Sequence, residues 1–560
     1  MGEGRKVGNN SQFPNPPIPR LPILGVIIGL IAIFFAWQQT GVGQGNIFNP
    51  GGLELLGRFF WASLHPDLSA EFLQLTYTET ITTLAYAVCG SFLSVVVGLV
   101  GGIWASQVWW WGLLRRQPGR NSLFLVVRAG LAVPRAIHEL LWGLFFVNIW
   151  GLDPLCAIFA IAIPFGAVTA KVFSEILDET PREPWQALLN SGVAPAQAFL
   201  YTLLPQASLN LLSYTCYRFE CSLRSAAVLG IIGAGGLGEQ IYLSLQSLRY
   251  EQLWTLFYAL FILNGTVDWI SAWLRDRLGC VTRLDLNQGK LGRQEARAGY
   301  GQDWLLGIIG GGILLLIPWC FWYVKPDFTK IWSPHSQRFF VTIGTFNVPK
   351  DVSINALKEL FHLSTQTLAM SILAITIAGL WGIFLSFPAA RNFGLPLGNR
   401  GRLWRIPTRI FLLICRGIPA PIWALVALFI LFPGILPGAV ALGIHNLGIL
   451  GRLMAEVVEN LEKPTLEALQ AQGIRSEFVF LYGVLPMTLP RFLAYIFYRW
   501  EVCLRETIIV GLVGAGGLGR LLSEQLSSFD TEGILLTLVC LVLLTFLVDS
   551  VSGVARRSLR

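Results

Sequence analysis

Residues 498–519 read YRWEVCLRETIIVGLVGAGGLG, and residues 217–238 read YRFECSLRSAAVLGIIGAGGLG; twelve of the twenty-two aligned positions are identical. The offset between the two stretches is 281 residues. It also relates Arg135 to Arg416, Gly192 to Gly473, Pro205 to Pro486, Asp268 to Asp549 and Arg275 to Arg556, with no gap across that span. A chain that repeats itself at one fixed offset is an internal duplication, and its fold must be two copies of one unit.

The composition says in what solvent those copies fold. Of 560 residues, 54% are hydrophobic and 13% charged, with a mean hydropathy of +0.59. That is about half the charged fraction of a soluble domain. The 58 Gly and 20 Trp fit helices packed closely in lipid with aromatic rings at the interfaces. Apolar runs long enough to cross about 30 Å of hydrocarbon occupy roughly 21–37, 79–104, 121–150, 155–172, 205–232 and 252–272, and return at 304–324, 364–388, 408–432, 436–454, 485–513 and 534–553. The expected fold is an all-α polytopic membrane protein of about twelve transmembrane helices in two six-helix repeats. An even number of crossings per unit makes the repeats parallel, not inverted. The units are expected at 1–275 and 301–560, joined by a polar linker at 276–300. The first run has no A-x-A cleavage site after it and reads as an uncleaved anchor.

Basic residues fix the orientation. Arg115, Arg116 and Arg120, the linker cluster, Arg400, Arg402 and Arg405, and the tail Arg556, Arg557 and Arg560 fall on one side, which the positive-inside rule assigns to the cytoplasm. Both termini are therefore expected in the cytoplasm. The same topology accounts for the net charge of +8, so nucleic acid is set aside. Nine Cys without a CxxC pair and five scattered His argue against a disulfide framework or a metal site.

Two polar, amphipathic stretches interrupt the apolar pattern at about 175–203 and 456–484. Each is broken by a glycine, Gly192 or Gly473, where a residue without Cβ lets the chain turn between short helices. Glu467, Ala468, Gly473 and the later Leu485–Pro486 resemble the cytoplasmic coupling loop of ABC-importer permeases. The first copy has Gln186, Ala187, Gly192 and Leu204–Pro205, without the leading acid. The repeated YR-E-LR-G-GAGGLG stretch, with RAIHELLW upstream, is similar to permeases of phosphonate-type ABC importers. That resemblance covers about 75–275 and 363–556. It implies a permease with both halves in one chain, importing phosphonate or a related phosphorus oxyanion, docked on two cytosolic ATPase subunits and an external substrate-binding protein. The chain has no G-x-x-x-x-G-K-[ST], so it is expected to bind no cofactor itself; ATP and Mg belong to the partners. The rival is a 6+6 secondary transporter for an anionic solute.

Charged residues inside membrane helices are candidates for a pathway. Arg218, Glu220 and Arg224, with copies Arg499, Glu501 and Arg505, are placed in the outer half of the bilayer by their distance from Pro205. Glu220 and Arg224, at i and i+4, are expected to pair, leaving surplus positive charge for an anion. Arg135 and Arg416 stand at the start of a helix as further candidates. The GAGGLG turns, with Gly233, Gly235, Gly236 and Gly238 and with Gly514, Gly516, Gly517 and Gly519, follow membrane helices and not strands. They fit a flexible turn at the outer mouth, part of a gate, better than dinucleotide binding.

Overall fold

The computed structural model describes residues 23–41, 48–113, 120–277, 304–334, 336–337, 354–391, 399–461, 463–528 and 530–558. Most of the expected linker falls outside the described residues, as do Arg115, Arg116 and the side chains of Arg400, Arg402 and Glu467.

In the first half, the helices are α1 (Ile23–Gln39), α2 (Gly52–Ala62), α3 (Ala70–Ala105), α4 (Arg120–Ala136), α5 (Glu139–Trp150), α6 (Pro154–Glu179), α7 (Glu183–Asn190), α8 (Leu204–Leu229), α9 (Leu237–Gln246) and α10 (Tyr250–Arg277). In the second half they are α11 (Trp304–Val324), α12 (Ile354–Ala389), α13 (Asn399–Gly417), α14 (Ala420–Ile430), α15 (Ile435–Glu459), α16 (Lys463–Ala471), α17 (Leu485–Val510), α18 (Gly517–Ser527) and α19 (Thr531–Ser558). Each of the twelve apolar runs is a helix or a helix pair. Seven of the described helices are long and apolar enough to cross a membrane unaided, and two bent pairs bring the number to nine. The shorter apolar helices α1, α5 and α11 complete the pattern of six per half.

One apolar run in each half is broken, not continuous. The pair α13–α14 bends by 95°, because Pro419 disfavours helical geometry at Ile418 before it. In the first half His138 takes extended backbone and accepts the Leu140 N–H through Nδ1, capping α5 afresh. The carbonyls freed by these breaks are met by indoles. Trp142 Nε1 donates to the Pro134 carbonyl at 3.4 Å, and Trp423 Nε1 donates to that of Cys415 at 3.2 Å. Arg135 and Arg416 therefore end a helix instead of starting one, in the last turn where the dipole favours a cation.

Within each half, the long helices meet over small residues. Gly90, Gly98 and Gly102 of α3 face Ile161, Thr169 and Phe173 of α6 so closely that a Cβ would come within 2.8 Å of each. Such approach is how helices gain van der Waals contact where no hydrophobic effect drives them together.

The leading helix of each half crosses to the other. Ala36 of α1 is buried in one cluster with Ala369, Met370 and Leu373 of α12. Cys320 of α11 is buried with Ala85, Tyr86 and Cys89 of α3. Beyond α11, Lys330 Nζ donates to the Asp153 carboxylate at 2.6 Å, and Trp150 Nε1 donates to the Ser336 hydroxyl at 3.0 Å. The two repeats are thus interlocked, and between them lies the site.

Candidate functional site: an arginine-lined cavity between the repeats

A cavity of about 230 Å³ lies between the halves. The first half supplies Arg135 from α4, His138 and Glu139 at the start of α5, Phe165 from α6, and Tyr217, Arg218, Glu220, Arg224 and Ser225 from α8. The second supplies Arg416 from α13, His445 and Arg452 from α15, and Arg499, Arg505 and Glu506 from α17. The break between α4 and α5, and its copy, leave Arg135 and Arg416 in the last turn of a helix that ends at the cavity wall. Seven arginines face three glutamates on the cavity wall.

Of the sequence candidates, Arg135, Arg218, Glu220, Arg224, Arg416, Arg499 and Arg505 are brought together here; Glu501 is not on the wall. The expected Glu220–Arg224 pair does not form. Glu220 Oε1 instead accepts from Arg275 Nη1 at 3.1 Å and from Ser271 Oγ at 2.6 Å, both on α10. Arg224 turns its Nε to the Glu220 carbonyl at 3.4 Å. The copy repeats the arrangement: Glu501 Oε1 accepts from Arg556 Nη2 at 2.5 Å, and Arg505 Nε donates to the Glu501 carbonyl at 3.4 Å. Within a helix, i,i+4 spacing only makes contact possible; the packed neighbour α10 offers a charge and a hydroxyl to the same carboxylate. The pairing sets the Arg218–Glu220 turn beside the C-terminal end of α10, where Arg275 lies past the apolar stretch.

Sequence reasoning passed over Asp268, Arg452, Asn446 and Glu506. Asp268 of α10 binds two cations of the other half: Arg416 Nη2 and, at 2.9 Å, Arg452 Nη1. Arg452 Nε also donates to Glu456 at 3.2 Å. Arg499 donates from Nη2 to Glu506 Oε1 at 2.6 Å and from Nε to Asn446 Oδ1, while Asn446 Nδ2 donates to Glu506 Oε2 at 3.1 Å. Arg218, the copy of Arg499, has neither partner. Ser225 stands where Glu506 is expected, and Phe165 where Asn446 is. Arg218 lies over the Phe165 ring with its guanidinium carbon 3.8 Å from the centroid. A signal for Glu506 was legible in the aligned repeat, where LRET stands against LRSA.

The GAGGLG turns are compact. Gly233, Gly235 and Gly236 have φ of +83°, +90° and +81°, and Gly514, Gly516 and Gly517 have +107°, +81° and +69°. A Cβ on Gly238 or Gly519 would meet the carbonyl oxygen of Ala227 at 1.8 Å or of Ile508 at 2.2 Å. Thr83 Oγ1 accepts the Leu237 N–H at 2.8 Å, and Thr367 Oγ1 accepts that of Leu518 at 2.9 Å, tying each turn to α3 or α12.

The polar segments carry the expected glycine turns, with φ of +85° at Gly192 and +75° at Gly473. In the first, Trp185 and Leu189 of α7 are buried against Val108, Phe173 and Phe199, leaving Gln186 and Ala187 exposed. Ala468 is likewise exposed.

The family model described as "Binding-protein-dependent transport system inner membrane component" matches residues 97–279 and 392–560. The chain is similar to the phosphate-import permease PhnE of Mycolicibacterium smegmatis, at 26% identity over 86% of this chain and 85% of that protein. It is 30% identical to the phosphite transport system permease PtxC of Stutzerimonas stutzeri, over 47% of this chain and 94% of that protein. Among solved structures, one chain of the inward-facing MetNI methionine ABC transporter aligns over 38% of this chain and 99% of its own length, at 19% identity and a TM-score of 0.33.

Proposed function

The chain belongs to the family of binding-protein-dependent transport system inner membrane components, and from that premise we propose that it forms both halves of the translocation pathway for phosphonate or a related phosphorus oxyanion. It is a multi-pass inner-membrane permease of an ABC importer, and such permeases work with an ATPase and a substrate-binding protein. The secondary-transporter alternative is set aside by that membership. The observation that carries the cargo assignment is the cavity between the repeats, where seven arginines exceed the glutamates facing them. Guanidinium groups match oxyanions geometrically and hold their charge at any working pH. The relatives named for phosphate and phosphite import support the same chemistry.

In this reading two ATPase subunits dock on 175–203 and 456–484, through the faces that include Gln186, Ala187 and Gly192 on one side and Glu467, Ala468 and Gly473 on the other. ATP and Mg are bound by those subunits, and the permease itself has no catalytic site. The glycine turns after α8 and α17 form part of the gate. Both termini and the linker face the cytoplasm, the units being 1–275 and 301–560; a cysteine placed at Gln288 should resist labelling from outside, and labelling there would overturn the orientation.

The test of the whole reading is ATP-dependent uptake by the assembled importer in proteoliposomes. Uptake of phosphonate, phosphite or phosphate is expected, with no uptake of a neutral solute of equal size. Failure to move any phosphorus oxyanion overturns the cargo assignment.

A further inference from the structure

Resting on the oxyanion reading, we infer that the cavity is a one-sided anion site: Arg218 of the first half is the specificity-determining contact for a phosphorus oxyanion, and its copy Arg499 holds the scaffold. The two arginines occupy equivalent places on α8 and α17 and both line the cavity, but their surroundings have been exchanged. Arg499 is neutralised by Glu506 and fixed by Asn446. Its Nη2 is spent on the Glu506 carboxylate and its Nε on the Asn446 amide oxygen.

Arg218 is only 9% exposed, and among the described residues no carboxylate lies within ion-pair distance of it. Its Nε is buried without a hydrogen-bond partner. A guanidinium so placed is costly to keep, since both its charge and its unmade hydrogen bond carry a desolvation penalty. Contact with Phe165 offsets part of that penalty by a cation–π interaction and covers one side of the group, but a ring accepts no hydrogen bond at the N–H edge. The edge is left for an acceptor that comes and goes. The first-half carboxylates on the wall are occupied elsewhere: Glu220 Oε1 by Ser271 and Arg275, and Glu139 Oε1 by the Ser225 hydroxyl at 2.6 Å. Arg505, whose Nη1 is spent on the Arg135 carbonyl at 2.9 Å, and Arg135, which makes no ion pair among the described residues, add positive potential without a counter-charge of their own. A tetrahedral dianion beside Arg218 therefore meets cations without an ion pair, Arg135 and, from across the interface, Arg505, whereas beside Arg499, Arg416 and Arg452 it meets cations already paired.

Two substitutions separate this inference from a merely structural role. Arg218→Gln removes the contact. Ser225→Glu leaves Arg218 in place but gives it the counter-charge that the second half carries at the aligned position. Equilibrium binding of radiolabelled inorganic phosphate is measured on the full chain in lipid nanodiscs, with thermal unfolding in parallel. Uptake of phosphate, phosphite and methylphosphonate is measured with the assembled importer. Each substitution should weaken phosphate binding by about tenfold or more, the worth of one charge-assisted contact, and raise the KM for uptake. Because Ser225→Glu also takes the hydroxyl from Glu139 and sets a second carboxylate beside it, it is combined with Glu139→Gln, and the pair should weaken binding with a thermal transition no lower than that of Glu139→Gln alone. Arg499→Gln should chiefly lower the thermal transition, since it orphans Glu506. Phosphate binding by Arg218→Gln and by the Ser225→Glu, Glu139→Gln pair equal to that of the unsubstituted chain overturns the inference, as does the absence of saturable binding to the unsubstituted chain while uptake persists; in both cases the importer reading stands. If the assembled importer moves no phosphorus oxyanion, the reading and the inference fall together.

Discussion

The two repeats agree where they build the scaffold and differ where they face the cavity. Glu220–Arg275 and Glu501–Arg556 are the same ion pair at the same offset, and each joins the cavity helix to the last helix of its own half. Around the cavity the copies part. Asp268 bridges Arg416 and Arg452 of the opposite half, while Asp549 makes no ion pair among the described residues with Arg135, and Lys171, the copy of Arg452, sits half-exposed 3.9 Å from Glu175. A duplicated pathway is free to diverge at positions that meet the cargo or the opposite half, because a cargo without two-fold symmetry needs no symmetric site. The pairs that fix helix against helix within one half are not free in that way, since loss of one partner orphans a buried charge.

The largest expected effect tests the shared pair. Arg275→Gln leaves Glu220, whose side chain is 3% exposed, without its cation, and should cost about 3–5 kcal/mol. The copy is wetter, with Arg556 31% exposed, so Arg556→Gln should cost about 1 kcal/mol. Thermal unfolding in detergent measures both; equal losses would show that solvent access does not distinguish the copies. Next comes the bridge between halves. Asp268→Asn frees two arginines at once and should cost about 2–4 kcal/mol, whereas Asp549→Asn should change the transition little. A large effect of Asp549→Asn would mean that the bridge forms on both sides in turn.

The duplication, the number of helical stretches and the two glycine turns were legible in the sequence because each is local or periodic. Which charges pair was not. Glu220 has a cation four residues away on its own helix, yet its carboxylate goes to Arg275, fifty-five residues on, because α10 packs against that face and brings Ser271 as well. Arg452 and Asp268 looked like isolated charges in separate spans; only the crossing of α10 over α13 and α15 makes them neighbours. The break before α5 was also hidden, since 121–150 reads as one apolar run and nothing short of the packed structure shows that His138 caps a new helix.

The coupling turns extend the comparison to the segments read as docking sites. A Cβ at Gly192 or Gly473 would meet nothing within 4 Å, so substitution acts only through backbone strain at positive φ, about 1–2 kcal/mol. Gly192→Val and Gly473→Val should therefore leave the protein inserted and lower uptake by altering the turn. The second copy, which keeps Glu467, should be the more sensitive. Normal uptake by a well-expressed double variant would count against a docking role for both turns, and equal sensitivity would remove the distinction between them.

The smallest expected difference lies at the glycine turns after α8 and α17, where the copies have not diverged. Thr83 and Thr367 are fully or almost fully buried, at 0% and 1% exposure, and each hydroxyl accepts an N–H from the first turn of the helix that follows. Valine has nearly the shape of threonine but no acceptor, so Thr83→Val and Thr367→Val each leave one buried N–H unpaired, a loss of about 1–3 kcal/mol. Because the geometry is the same to about 0.1 Å, the two losses should agree within about 0.5 kcal/mol, the scatter of independent sites, and should add in the double variant. If the turns are parts of one gate that opens as a unit, uptake in the double variant should fall further than the product of the single effects even though stability adds. Unequal stability losses would break the symmetry at the one place where structure and sequence both keep it, and would mean that the neighbouring exchange of Glu506 for Ser225 reaches through α17 and α8 to the turns beyond them.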